Sequence, residues 1–522
     1  MDEPIIVGTS RSCVSPGDSR LKGFLAFYMV LAIPLLRLLI HSHYELWRPE
    51  VLAILLLFAF PCFALSRLPG GKPVFFGVLS LWAAYFSATS VVAEAAPTTP
   101  WVLIFGGLAF LMLGSAAVLR ERLPYLMSLM LGGMLAAEVW LAVAAGSPGG
   151  PTAAVALHLR HTIHLVLDEQ IGIAGFPPLI QECADAADNW RATLERHGFT
   201  VYPNAFSNYD ETWKSLPSIL NDQLLRPKGQ YKLEGNRLAG NMLFARAAAR
   251  GLDLAVYQSD YIRFDLPRYR YSRVREYDSH DLSALLATTA SWSDRARHIF
   301  TWYFLLDLPT RLLINKYLPN LVLATRIGPL SVRKFWPQVL LQDILRAKRP
   351  TLFFVHLLHP HYPYVLDSVG NVRPFREWHR EPEYSRDYRL YCGQSTFLAR
   401  QLDEFFSALQ RLGVFELSRV VLHGDHGSRM KKYSQTPTLR ELLDSFSAML
   451  AIRQPGSAQG RADLTKESLL SLLRRSEGRA SGVEWDINSV FLAEAGDPDD
   501  FGGRPVSILH LWNLEHTPNS VF

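Results

Sequence analysis

Val420-Val421-Leu422-His423-Gly424-Asp425-His426-Gly427 is an apolar run that ends abruptly in two glycines, an aspartate and two histidines. A short apolar run closed by such residues reads as a buried strand that delivers metal ligands at its C-terminal end. An earlier run, Ile163-His164-Leu165-Val166-Leu167-Asp168-Glu169, has the same form and ends in adjacent carboxylates. The two edges are far apart in the chain, and they can close one metal site if their strands lie in one sheet. Gly424 and Gly427 are expected to let the backbone bend so that Asp425 and His426 both reach inward.

Around these two runs, short apolar stretches alternate with longer amphipathic ones, the signature of an α/β domain with a largely parallel sheet. Strands are expected at 162–168, 199–203, 253–258, 351–357, 419–424 and 447–452, and helices at 178–196, 237–250, 334–347, 386–411 and 464–475. The breaker cluster Ser147-Pro148-Gly149-Gly150-Pro151 marks where this domain begins. We therefore divide the 522 residues into a polar tail at 1–22, an apolar region at 23–146, a linker at 147–160 and an α/β domain at 161–522.

The apolar region holds five segments, roughly 23–41, 51–66, 73–93, 100–119 and 123–145, each close to the ~20 residues that a spanning helix needs. Five segments are too many for one cleavable signal peptide. Arg11, Arg20, Lys22, Arg67, Lys72, Arg120 and Arg122 fall on one side of the implied membrane and only Arg48 on the other. The positive-inside rule then puts the N-terminus in the cytoplasm and the α/β domain outside. Residues 299–324 break the α/β alternation. They are aromatic and apolar but carry Asp307, Arg311, Lys316, Pro309 and Pro319, which suits an insertion lying at the membrane-water boundary better than a sixth span. The net charge of +5 is spread thinly, with no dense basic block, so nucleic acid is not expected as a partner. Four cysteines, Cys13, Cys62, Cys183 and Cys392, form no CxxC pair; Cys183 and Cys392 could pair in an exported domain.

Carboxylate and imidazole ligands suit a divalent cation such as Zn2+ or Mn2+. A reacting group is also needed. The polar loop from Asn204 leads through Thr212 into a helix, where the Thr212 hydroxyl could be ionised by the metal while helix N-terminal N–H groups hold an anionic oxygen. An ordinary N-cap threonine would look the same. The strand at 351–357 runs into His356-Leu357-Leu358-His359-Pro360-His361, whose imidazoles could bind substrate phosphate or protonate a leaving oxygen.

A strand ending in Glu169, a threonine about forty residues on at Thr212, the His356 strand end and the terminal Asp425-His426-Gly427 resemble the alkaline phosphatase and sulfatase superfamily. Together with the five-segment region, they resemble more closely the membrane phosphoethanolamine transferases and lipoteichoic acid synthases. The resemblance implies a five-helix transmembrane bundle followed by an α/β sulfatase-like domain with a central mixed, mostly parallel sheet. It implies metal ligation by Glu169, Thr212, Asp425 and His426, with Asp168 as a further ligand or a group just behind them. Thr212 becomes the nucleophile, and His356 and His361 match a substrate-contacting histidine pair. Past Gly427 the transferases' further substrate histidine is replaced by Ser428-Arg429-Met430-Lys431-Lys432, which makes Arg429, with His423, a candidate substrate contact. No cysteine lies in the C/S-x-P-x-R setting of sulfatases, and Ser215-Leu216-Pro217-Ser218-Ile219 ends in Ile, which argues against sulfate ester hydrolysis.

The expected activity is transfer of a phosphoethanolamine- or phosphoglycerol-type headgroup from a membrane phospholipid donor to an envelope glycan or glycolipid acceptor. It would proceed through a phosphothreonine, on the outer face of a bacterial cytoplasmic membrane. The alternatives are a membrane-tethered phosphodiesterase or sulfatase-like hydrolase and a non-catalytic protein of envelope assembly.

Overall fold

The computed structural model describes residues 159–224, 241–264, 328–378, 383–430 and 437–479 almost continuously, with 46–66, 272–277, 291–301, 488–492, 504–507 and a few isolated positions. The chain divides into two compact units, Met1–Gly150 with Leu286–Val322, and Pro151–Leu285 with Leu323–Phe522.

In the first unit, helix α1 (Pro49–Ser66) covers the second of the five expected spans. The other four lie wholly or largely outside the described residues. Among the described residues, no helix is long and apolar enough to cross a membrane. One side of α1 is exposed and apolar, with Leu52, Leu56, Phe60 and Phe63. The helix is tied to α5 (Trp292–Thr301) by Arg295, whose Nε stands 2.6 Å from the fully buried Glu50 carboxylate. Most of the expected insertion at 299–324 lies outside the described residues.

The second unit is built on an eight-stranded sheet. Its strands are β1 (Thr162–Leu167), β2 (Thr200–Val201), β3 (Asp253–Ser259), β4 (Ser272–Tyr277), β5 (Thr351–Leu357), β6 (Arg419–Gly424), β7 (Leu450–Arg453) and β8 (Arg461–Ala462), in the order β8-β2-β7-β6-β1-β5-β3-β4. All neighbouring pairs are parallel except those made by β7, which runs antiparallel to β6 and β2. The sheet is thus mixed and mostly parallel, as the alternation predicts.

Strand residues alternate between two buried faces. Ile163, Leu165, Leu167, Phe353, Val355, Val420 and Leu422 pack under α2 (Gln181–Arg196), α6 (Gly328–Arg346) and α7 (Tyr384–Arg411), with Trp190, Trp336 and Phe405 filling the layer. The other face is covered by α3 (Thr212–Asn221) and α4 (Met242–Ala249), which close over Val166, Val256 and Phe354, and by α9 (Leu469–Ser476) over Val421 and Ile452, while α8 (Leu439–Phe446) packs on Phe206. Burial on both faces explains why the central strands read as continuous apolar runs. Cys183 of α2 and Cys392 of α7 form a disulfide, with Cα atoms 5.1 Å apart.

Two expectations change. Helix 237–250 begins only at Met242, capped by the Asn241 side chain, because Arg237–Leu238 pairs instead with Arg263–Phe264. Edge strand β4 has no apolar run to announce it; its Arg273 and Arg275 pair with the buried carboxylate of Asp343 on α6.

The register places the site. Leu167 pairs with Leu357 on one side and Gly424 on the other, so the C-terminal ends of β1, β5 and β6 are level and adjacent. Asp168, the His356 strand end and Asp425 therefore emerge side by side at the carboxyl edge of a parallel sheet, where open α/β folds place their ligand sites.

Candidate active site

Asp168 and Glu169 follow directly on β1, and the backbone separates them. Glu169 takes a left-handed conformation, φ 63°, which is uncommon for a residue with a Cβ and is held here by its neighbours. Its N–H donates to Asp425 Oδ1 at 3.0 Å, and its carbonyl accepts from the Tyr391 hydroxyl at 2.8 Å. Tyr391, on α7, also accepts the Ile171 N–H at 2.9 Å, clamping the whole turn.

The two carboxylates consequently face different partners. Asp168 is fully buried: its Oδ1 stands 3.4 Å from the Thr212 hydroxyl, and its Oδ2 stands 3.2 Å from His356 Nε2 without a hydrogen bond of its own. Glu169 turns to a cationic corner. It accepts from Arg429 at 2.7 Å and from the Tyr362 N–H at 3.1 Å, with His361 Nε2 3.7 Å away.

On β6 the close packing dictates the glycines. A Cβ on Gly424 would meet the Gln170 carbonyl oxygen at 2.1 Å, and one on Gly427 would meet that of Asp444 at 2.2 Å. Neither has a positive φ, so close approach rather than a special turn conformation requires glycine, a correction to the expected bend. The Ser215 hydroxyl, from α3, holds the Asp425 carbonyl at 2.5 Å. His426 donates from Nδ1 to the Gly427 carbonyl at 2.8 Å, since a carbonyl can only accept, which leaves Nε2 as a lone pair.

That lone pair is 3.1 Å from the Thr212 hydroxyl. Thr212 is the first residue of α3. The N-cap position is taken by Glu211, whose side chain makes no capping bond, so the Thr212 side chain is free for the site and the N-cap alternative falls away.

Asp168, Asp425 and His426 bring one ligand atom each to within 4.8 Å of one another, and all three are fully buried. The Oδ2 atoms of both aspartates lack hydrogen bonds, which is costly for buried carboxylates unless a cation is shared. Two carboxylates, one imidazole and an adjacent hydroxyl form a donor set suited to a divalent metal. Glu169, the expected ligand, is absent from this group, and Asp168, the secondary candidate, is in it.

Electrostatics follow the same division. Burial works to raise the Asp425 carboxyl, but His426 and His356 overcome it and hold it below the usual range. Glu169 is likewise held low against burial by His361, Arg429 and His426. Burial works to lower His361, and Glu169 and Asp168 reverse this and raise it.

Of the remaining expected residues, His356 is buried beside Asp168, while His361 and Arg429 line the more open side, 20% and 34% exposed. His423 does not reach the site. Its ring is fully buried within the sheet, with Nε2 2.8 Å from His164 Nε2 and Nδ1 donating to the Gly424 carbonyl, so the expected substrate contact is corrected. Tyr391 and Ser215 shape the site and were not anticipated. Nothing local marks Tyr391, which lies 222 residues from the turn it clamps.

No family model and no curated relative matches the chain. Among solved structures, it is similar to the phosphonate monoester hydrolase SpPMH from Silicibacter pomeroyi, at 14% identity over 65% of this chain and 81% of that one, TM-score 0.39. It is similar to the lipoteichoic acid synthase LtaP from Listeria monocytogenes, at 12% identity over 65% and 76%, TM-score 0.34. A third likeness is to the C-terminal periplasmic domain of EcEptC from Escherichia coli, at 11% identity over 72% and 98%, TM-score 0.36. These neighbours belong to the alkaline phosphatase and sulfatase superfamily that the motifs resemble, and likenesses of this degree leave the assignment to the chain's own residues.

Proposed function

We propose that this protein is a metal-dependent phosphotransferase that moves a phospho-headgroup, of phosphoethanolamine or phosphoglycerol type, from a membrane phospholipid to an envelope glycan or glycolipid. The observation that carries the reading is the Thr212 hydroxyl, free of any capping role and standing 3.1 Å from His426 Nε2 beside two carboxylates with unsatisfied buried oxygens.

Asp168, Asp425 and His426 would hold the cation, zinc or manganese, which when bound lowers the pKa of the adjacent Thr212 hydroxyl and offsets phosphoryl charge. Thr212 gives its proton to Asp168 Oδ1, 3.4 Å from its hydroxyl, and its Oγ1 bonds to the phosphorus. The P–O bond to diacylglycerol breaks, and the leaving oxygen takes a proton from His361, whose charged form Glu169 favours. The N–H groups at the start of α3 and the Arg429 guanidinium are placed to receive the phosphoryl oxygens. In the second half, the acceptor hydroxyl gives a proton back to His361 and attacks phosphorus. Thr212 then leaves and recovers its proton from Asp168. His356 stays buried behind Asp168 and orients it.

A bacterial cytoplasmic-membrane protein with its catalytic domain outside fits three further facts: the apolar first third of the sequence, the exposed apolar side of α1, and a disulfide, which persists in oxidising compartments. The test compares envelope glycolipids and glycans from cells carrying the native protein or Thr212→Ala, with mass spectrometry of the protein for phosphothreonine. Thr212→Ala should lower transfer by about 10³ or more and remove the phosphopeptide. An unchanged phospho-substituent profile sinks the transferase reading, and phosphothreonine whose phosphoryl group passes only to water assigns hydrolysis instead.

A further inference from the structure

The opposite, N-terminal edge of the sheet carries arginines that outnumber the acids facing them among the described residues. Arg419 opens β6, Arg246 lies on α4, Arg474 in the last turn of α9, and Arg479 just beyond it. They converge on two carboxylates, Asp222 at the C-cap of α3 and Glu477 at the C-cap of α9.

Two of the arginines are well matched. Arg474 Nε is 2.7 Å from Asp222 Oδ1 while its Nη2 donates to the Asp222 carbonyl at 2.6 Å. Arg479 bonds the same carboxylate and lies 3.0 Å from Glu477. The other two are not. Arg246 comes no closer than 3.6 Å to Asp222 and 3.9 Å to Glu477, and Arg419, whose Nη2 donates to the neutral Ser476 hydroxyl at 2.9 Å, no closer than 3.7 Å to Glu477, so neither makes a hydrogen-bonded ion pair. Arg250, one helical turn past Arg246 and exposed, adds a fifth guanidinium.

Among the described residues, five guanidiniums against two carboxylates leave three charges unmatched. The four inner side chains are only 16–30% exposed, so water screens their mutual repulsion incompletely. Burial lowers Arg246 and Arg419 from the ordinary guanidinium range; Glu477 works against this, and Arg250 adds to the lowering. A network serving structure alone would pair its charges. Arg246 instead makes no side-chain hydrogen bond among the described residues, although three-quarters of it is buried.

We propose that Arg246, Arg250 and Arg419, steadied by Arg474 and Arg479, form a second ligand site that takes a small phosphate-type polyanion of two or three negative charges. Guanidinium forks match phosphate oxygens in pairs, and such an anion would neutralise the excess. The site is distinct from the candidate active site: Thr212 opens α3 and Asp222 is its C-cap, and ten steps of the helical rise separate the two by roughly 15 Å. The anion could arrive as a soluble phosphate compound or as the phosphate of a lipid headgroup.

The experiment titrates full-length protein in detergent with pyrophosphate by calorimetry at about 0.15 M salt, and in parallel measures co-sedimentation with phosphatidylglycerol vesicles. One pyrophosphate should bind per chain. Arg250→Ser and Arg246→Gln should each weaken binding about tenfold with unchanged melting temperature, and Asp425→Asn should leave it intact. Vesicle binding that the same two arginine substitutions abolish, without pyrophosphate binding, supports the site with a lipid as the source. Binding to neither probe, binding indifferent to both substitutions, or binding lost in Asp425→Asn overturns the proposal.

Discussion

The adjacent carboxylates Asp168 and Glu169 show how little one residue of sequence offset says about chemistry. Both are buried, but a left-handed φ at Glu169 turns one toward Thr212 and His356 and the other toward Arg429 and His361. Two consequences can be measured. Asp168→Asn and Asp425→Asn should each lose bound metal by elemental analysis of the purified protein. Glu169→Gln should retain it and raise KM through a misplaced Arg429, by about tenfold for one charge-assisted contact. Metal lost from Glu169→Gln and kept by Asp168→Asn would restore the assignment that the sequence motif favours. The sequence could not choose between the two, because the choice lies in a backbone torsion held by Tyr391 from a distant helix.

At the scale of elements, the turn after β6 works because nothing but backbone fits between it and its neighbours. Gly424 lies against the Gln170 carbonyl and Gly427 against that of Asp444, so an added methyl group in either place must push main chain aside. Gly427→Ala and Gly424→Ala should each destabilise the domain by about 1–3 kcal/mol, read as a lowered denaturation midpoint, because overpacked sites relax only by backbone shifts. A stable, fully metal-loaded Gly427→Ala protein would contradict this. The glycines, the strand and the polar residues were all legible in sequence. What was not legible was the reason for the glycines, since close approach depends on which loop comes alongside. Helix α3 teaches the converse: an apolar helix preceded by a polar loop was readable, yet a one-residue difference in where the helix starts puts Glu211 rather than Thr212 at the N-cap.

Across the whole domain, several histidines are buried without compensation. His161 and His359 have no hydrogen bonds to either ring nitrogen, and burial pushes them down to about 4 and about 3. Their unfolded-state pKa is ~6.5, so between that value and the folded one the unfolded chain binds protons that the folded domain does not. The stability they contribute is complete above about pH 6.5 and is lost as pH falls toward 4 and 3, on the order of 3 kcal/mol for His161 alone. Urea titrations at pH 7 and pH 4.5 should show a clear fall in midpoint, and His161→Phe should reduce that fall. An equal drop in the variant would remove His161 from the account.

The sequence by itself determined the parallel α/β character of the domain, the strand ends that carry chemistry, and the segment holding Thr212, because periodicity and punctuation are local properties of the chain. Only the tertiary structure decided that β1, β5 and β6 are neighbours in level register, that Asp168 rather than Glu169 joins Asp425 and His426, that His423 faces His164, and that Cys183 meets Cys392. Each of these depends on which distant segments pack together, and that is set by the burial of both sheet faces rather than by any residue's immediate neighbours.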